Sequence, residues 1–322
     1  MMKVCISGDL DQPLQRKVDQ GRPSRMKVVS KQLVPILQGD TEAELIQARP
    51  ATTPRETARL NRSRKACAAC QESREVPALS MAFQPIVDLQ EYRIDAYEAL
   101  VRGVNGEGAA DMLKWATAEN LYAFDQACRV KAIELAAALG IDRNLNINFL
   151  PNAVYEPRAC IRATLDAAAR TGFDQRRLTF EIVETEWISE TSHLLNIIAE
   201  YRKMGFRVAL DDFGTGYSGL ARLAALKPDV IKVDRALVQD CDQSKINLAI
   251  VASLISLGAE IGVKVVLEGV ERSSEVEVLR SVGARFTQGF YFAKPSFEKL
   301  VAEAELNWSG SGSVVGSSAP SL

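Results

Sequence analysis

The stretch VALDDFGTGYSGL, Val208 to Leu220, joins three signals in thirteen residues. An apolar run ends on two adjacent aspartates. A glycine-rich turn follows, and then the first residues of an amphipathic pattern. A short continuous apolar run suits a strand buried on both faces, as in parallel sheets. Strand, turn and helix in that order make one β/α unit.

The same unit recurs on either side. Apolar runs rich in Val, Ile and Phe predict strands at 81–87, 96–102, 145–150, 178–184, 207–211, 230–234, 264–269 and 285–292. Helical patterns fall within 110–139 (one or two helices) and at 160–171, 193–204, 218–226, 247–261, 274–282 and 296–306. Eight strands, most followed by a helix, favour a (β/α)8 barrel over an open sheet. Only LQEYRIDA separates the first two strands, which is too short for a helical crossover, so they should pair antiparallel. The predicted fold is α/β: a modified TIM barrel with an antiparallel strand pair at its start.

Most of these strands end in a group able to hold a metal or a phosphate: Glu98 and Arg102, Asn148, Glu181 and Glu184, Asp211 and Asp212, Lys232 and Asp234, Glu268 and Glu271, and Gln288. In a β/α barrel the carboxyl ends of the parallel strands open on the face that carries the chemistry. Acidic groups gathered there from five strands repel one another unless cations neutralise them. The chain's one histidine, His193, sits in a helical pattern and reads as a helix-surface residue. With no His-x-x-x-His spacing, a conventional zinc site is disfavoured. Carboxylate and amide oxygens suit Mg²⁺ or Mn²⁺. Asp211 is placed to bridge two ions and Asp212 to serve one, as in two-metal phosphoryl-transfer sites.

Two look-alikes are set aside. Gly214 to Gly219 spells G-x-G-x-x-G, with Asp234 about 20 residues on, as a dinucleotide fingerprint requires. Aspartates directly before the loop would repel a pyrophosphate, the following helix is short, and the unit is the fifth of eight. Asp212-Phe213-Gly214 matches the kinase D-F-G, but no H-R-D or V-A-I-K partner accompanies it.

These residues resemble the EAL-domain family of cyclic-di-GMP phosphodiesterases, which have a modified TIM barrel. The namesake motif is Glu98-Ala99-Leu100, and matching blocks stand at Gln84-Pro85-Ile86, Asn148, 181–184, 211–220, 231–235, 268–271 and 288–290. The resemblance spans about 78–305. It implies that Glu98, Asn148, Glu181 and Asp211 bind one ion, and that Asp211 and Asp212 bind a second with Glu268 nearby through water. Lys232 would contact the attacking water or the phosphate, and Glu268 would act as base or orient the water. Arg102 and the Leu100 backbone would hold a phosphate, and Gln84 and Gln288 the guanine or ribose-phosphate part. Glu184, Glu271 and Asp234 would be supporting residues. The implied reaction is hydrolysis of cyclic-di-GMP to pGpG with two Mg²⁺ or Mn²⁺ ions, by a homodimer. A silent cyclic-di-GMP-binding or partner-docking module is the alternative. Val183, Gly219 and Leu267 depart from the usual blocks without touching a ligand position.

The bulk numbers bound the rest. A net charge of −2 over 322 residues gives no global case for a nucleic-acid polymer or a membrane surface. Residues 1–65 hold 13 Lys or Arg against 7 Asp or Glu and lack periodicity, so they read as a weakly ordered or accessory segment. Residues 66–77 read as a linker carrying Cys67-x-x-Cys70, 78–306 as the barrel, and 307–322 as a flexible Ser/Gly tail. Six scattered cysteines and no apolar leader predict a cytoplasmic setting. The most apolar stretch, 249–263, contains Glu260 and is too short to span a membrane. Trp115, Tyr122 and Phe124 read as helix packing.

Overall fold

A computed structural model describes residues 76–308 except 118, 155, 184–190 and 217–218. The expectations for residues 1–65, for Cys67 and Cys70, for Glu184 and for nearly all of the tail lie outside the described residues.

Eight strands close a ring. They are β1 (Leu79–Asp88), β2 (Arg93–Gly103), β3 (Asn144–Asn148), β4 (Leu178–Val183), β5 (Arg207–Phe213), β6 (Val230–Val233), β7 (Lys264–Glu268) and β8 (Phe286–Gln288). β2 to β8 run parallel in sequence order, and β1 pairs antiparallel with both β2 and β8. The antiparallel start expected from the short β1–β2 connection is therefore also the seam of the barrel. Asp88 locks that seam. Its carboxylate accepts from Arg285 (2.8 and 3.0 Å) and from the backbone N–H groups of Gln90 and Glu91.

Among the described residues the helices are α1 (Ala109–Leu113), α2 (Leu121–Ala138), α3 (Pro157–Cys160), α4 (Arg162–Thr171), α5 (Thr191–Lys203), α6 (Gly219–Leu226), α7 (Arg235–Val238), α8 (Lys245–Ile261) and α9 (Ser273–Ser281). The predicted 110–139 region resolves into two helices, α1 and α2. Caps set several ends. The Ser244 hydroxyl accepts from Asn247 N–H at the start of α8, and Gly262, at φ +71°, ends it in the left-handed conformation.

Two apolar layers result. Strand residues that face the helices join one large core, in which the rings of Phe149, Phe180, Tyr201 and Phe206 pack at centroid distances of 5.1–5.9 Å. A smaller cluster of Ile86, Ala96, Ala209, Val230 and Val266, with Phe286 against it, fills the barrel.

Three expectations are corrected. Residues 296–306, predicted helical, form a two-residue strand β9 (Ser296–Phe297) and a 3-10 turn at Glu303–Glu305. β8 pairs β1 only at Val87 and Asp88, so the earlier part of β1 needs another partner on that side. β9 supplies it at Ala82 and Phe83, and Glu298 N–H continues onto the Met81 carbonyl. Sheet pairing thereby overrides a helix-favouring composition. The eighth strand, predicted to reach 292, stops at Gln288, where the chain turns against Val270: Val270 N–H donates to the Gln288 carbonyl, Tyr291 N–H donates to the Val270 carbonyl, and a Cβ on Gly289 would lie 2.0 Å from the Val270 carbonyl oxygen. Among the three aromatics, Phe124 is fully buried and Tyr122 packs on the core, but Trp115 lies in the turn between α1 and α2 and is 57% exposed.

Candidate active site

Side chains along a strand repeat every second residue on one face. Two residues beyond the apolar filling of the barrel, towards the carboxyl ends of the parallel strands, every filling residue gives way to a polar one. Ala96 is followed by Glu98, Ala209 by Asp211, Val230 by Lys232, Val266 by Glu268 and Phe286 by Gln288. On the reversed β1, Gln84 precedes Ile86 by the same step. The apolar layer is thus the floor of a polar one.

Lys232 is the hub of that layer. Its Nζ lies 2.7 Å from Glu181, 2.9 Å from Glu268, 3.1 Å from Glu98 and 3.3 Å from Asp211, and all five side chains are at most 3% exposed. Burial works against the ammonium, but the four carboxylates outweigh it and hold Lys232 protonated well above the ordinary lysine value. Burial, and then the charge of Glu98, push Glu181 far up, with Lys232 opposing. One ammonium among four carboxylates leaves the layer short of positive charge.

Asp212 joins through a β-bulge. From Leu210 to Phe213 strand β5 spends three steps against two on β6, from Ile231 to Val233. The extra residue, Asp212, takes φ +53°. Regular alternation would send adjacent side chains to opposite faces. The bulge instead brings carboxylate oxygens of Asp211, Asp212 and Glu268 within 4.8 Å of one another. Gly214, at φ +105°, continues the turn where a Cβ would lie 2.5 Å from Leu237.

The amides orient the acids. Asn148 Nδ2 donates to Glu98 Oε1 (3.3 Å), and Gln288 Nε2 donates to Glu98 Oε2 (2.8 Å) and to Gln84 Oε1 (3.0 Å). Gln84 in turn donates to the Ala293 carbonyl. Of the two amides expected beside a base or ribose, Gln288 thus also braces Glu98, and Gln84 holds Gln288. Among the described residues, Glu181 Oε2, Asn148 Oδ1 and Gln288 Oε1 are buried with no hydrogen-bond partner. Buried acceptors of this kind suit a hard divalent cation with oxygen ligands.

The remaining expected residues stand further out. Leu100 lines a small cavity with Asn148, Met81 and Cys128. Arg102 is half-buried, with Nη1 on the Val101 carbonyl. Asp234 caps α7, accepting from Ala236 N–H. Glu271 is 40% exposed in its side chain and lies 3.9 Å from Arg235. His193 is on a helix as expected, yet half-buried, with Nε2 2.6 Å from the Val154 carbonyl oxygen. One site residue was missed from sequence. Asn146, 4% exposed, donates to Glu181 Oε1 at 2.8 Å. Its signal was the N-x-N alternation with Asn148, which puts both amides on the barrel's inner face.

The EAL domain family matches residues 68–295. The chain belongs to this family. Its barrel resembles that of a standalone versatile EAL protein from Vibrio cholerae O395 solved with c-di-GMP, at 42% identity and TM-score 0.69, covering 71% of this chain and 97% of that one. BlrP1 of Klebsiella pneumoniae, solved with manganese and cyclic-di-GMP, is 36% identical with TM-score 0.65, covering 68% of this chain and 56% of that one. The bifunctional diguanylate cyclase/cyclic di-GMP phosphodiesterase MucR of Pseudomonas aeruginosa is 29% identical over 182 residues, 56% of this EAL chain and 26% of MucR. The first four curated relatives are matched over only 18–53% of their own lengths. No helix among the described residues of this EAL chain is long and apolar enough to cross a membrane.

Proposed function

We propose that this EAL barrel hydrolyses cyclic-di-GMP to linear pGpG with two divalent ions, Mg²⁺ or Mn²⁺. The carrying observation is the convergence of Glu98, Glu181, Asp211 and Glu268 on one buried lysine, with acceptors of Glu181 and Asn148 left over. Relatives solved with cyclic-di-GMP and with manganese or calcium support the ligand class.

Glu98, Asn148, Glu181 and Asp211 would hold one ion, and Asp211 and Asp212 the other. Bound ions there supply Lewis acidity and a water that is nucleophilic near neutral pH. Lys232 neutralises the charge that develops on the phosphoryl oxygens. Glu268 orients the water and takes its proton. Arg102 and the Leu100 backbone hold a phosphate, and Gln84 and Gln288 face the nucleoside while Gln288 also fixes Glu98. Water oxygen bonds to phosphorus, the P–O3′ bond breaks, the 3′ oxygen leaves and takes a proton from solvent to become a hydroxyl, Glu268 returns its proton to solvent, and the phosphate stays on the 5′ carbon. Glu184, Glu271 and Asp234 support the loops. The homodimer and the cytoplasmic setting belong to this reading.

Chromatography of cyclic-di-GMP incubated with Mn²⁺ or Mg²⁺ tests it. The expected result is pGpG formation that EDTA stops and that Glu98→Ala lowers by about 10²-fold or more. Binding without turnover, across metals and protein concentrations, would instead make the chain a silent effector.

A further inference from the structure

Asn146 lies in the polar layer but is not a candidate ligand in the reading above. Its strand position pairs with Thr179, one inward step below the Asn148–Glu181 pair, so its amide reaches up to Glu181 from beneath. Nδ2 is 2.8 Å from Glu181 Oε1. Beside a carboxylate only the NH₂ end of the amide is attractive, which fixes the orientation of Asn146. The same Oε1 lies 2.7 Å from the Lys232 ammonium. Oε2 is the atom left buried with no hydrogen-bond partner among the described residues.

A carboxylate has two equivalent oxygens and a soft terminal torsion, so one cation alone does not fix which oxygen points where. Two donors converging on Oε1 do fix it. The amide does this without adding charge to a layer already rich in carboxylates. An aspartate at 146 would have added one more carboxylate to that layer.

We propose that Asn146 is a positioning residue for metal capture: it pins Glu181 Oε1 on the lysine side and so presents Oε2 to the ion. The inference rests on the divalent-metal reading of the site. Partners that orient a metal ligand typically set metal affinity by 10- to 100-fold.

The test is titration calorimetry of Mn²⁺ into the full chain and into Asn146→Leu and Asn146→Ala, two donor-free replacements of different volume, with thermal midpoints taken in EDTA. The expected result is Mn²⁺ affinity lowered about tenfold or more in both variants, well beyond any change in the metal-free midpoint. The Mn²⁺ concentration for half-maximal turnover should rise likewise, while turnover at saturating Mn²⁺ largely recovers. Unchanged Mn²⁺ affinity in either folded variant overturns the inference and leaves the site reading intact. Failure of both variants to fold also overturns it, because Asn146 would then serve the fold. A parent chain that binds no Mn²⁺ removes the site reading and this inference together.

Discussion

At the scale of single residues, Lys232 and Asp212 carry the account. Lys232 was legible as a strand-end cation, but not as the common partner of four acids. Pairing is a property of the closed ring, and the four partners lie on four strands. Its removal should leave buried carboxylates uncompensated. Lys232→Met is expected to destabilise the metal-free protein by about 3–5 kcal/mol in urea unfolding, with Mn²⁺ restoring part of the loss. A loss under about 1 kcal/mol would mean that the four acids are not charged against it. Asp212 was legible as a ligand type, whereas the bulge that turns it inward was not. Nothing in DDFG distinguishes a regular strand end from a bulged one. Left-handed backbone costs most residues about 1–2 kcal/mol and is easier for Asp and Asn. Asp212→Asn should therefore keep the parent's thermal midpoint while losing most turnover. Asp212→Val should lose both, because a β-branched side chain opposes φ +53°.

At the scale of elements, the sequence placed all eight barrel strands and most helices, because apolar period and turn chemistry are local signals. The carboxyl-terminal end of the barrel segment was misread. Ser296 to Leu306 has a helix-favouring composition, yet it completes the short β8 side of β1 as β9. That demand is set by a strand more than 200 residues earlier, and no local window contains it. The seam makes its own prediction. Burial would raise the Asp88 carboxyl, but hydrogen bonds from Arg285 and from the Glu91 and Gln90 N–H groups prevail and hold it below the ordinary aspartate value. A lowered native value contributes stability that is present above the unfolded aspartate range, near 3.8, and is lost as pH falls through the native value. Asp88→Asn is expected to cost about 2 kcal/mol at pH 7. The gap between parent and variant should narrow as urea unfolding is repeated at successively lower pH, below pH 4. A gap that stays constant into acid would show that the Asp88 charge is not what closes the ring.

At the scale of the whole molecule, the candidate site was legible as a list and not as an arrangement. Residue type and strand-end position name Glu98, Asn148, Glu181, Asp211 and Glu268. The barrel supplies the rest by stacking one polar layer on the apolar floor of Ile86, Ala96, Ala209, Val230 and Val266. Asn146 escaped the list because it sits a step below the strand end, where a polar residue reads as an interruption of the core. Asp234, named as a supporting residue, caps α7, since an aspartate just after a strand can start the next helix. A second acidic trio, Asp240, Asp242 and Glu275, also gathers within ligand distance, but Arg272 bridges all three. That contrast sets the decisive experiment: anomalous diffraction from crystals of the full chain soaked in Mn²⁺. The account predicts two anomalous peaks about 3.5–4 Å apart among Glu98, Asn148, Glu181, Asp211 and Asp212. Peaks confined to Asp240, Asp242 and Glu275, or no peak at the barrel mouth at saturating Mn²⁺, would contradict it.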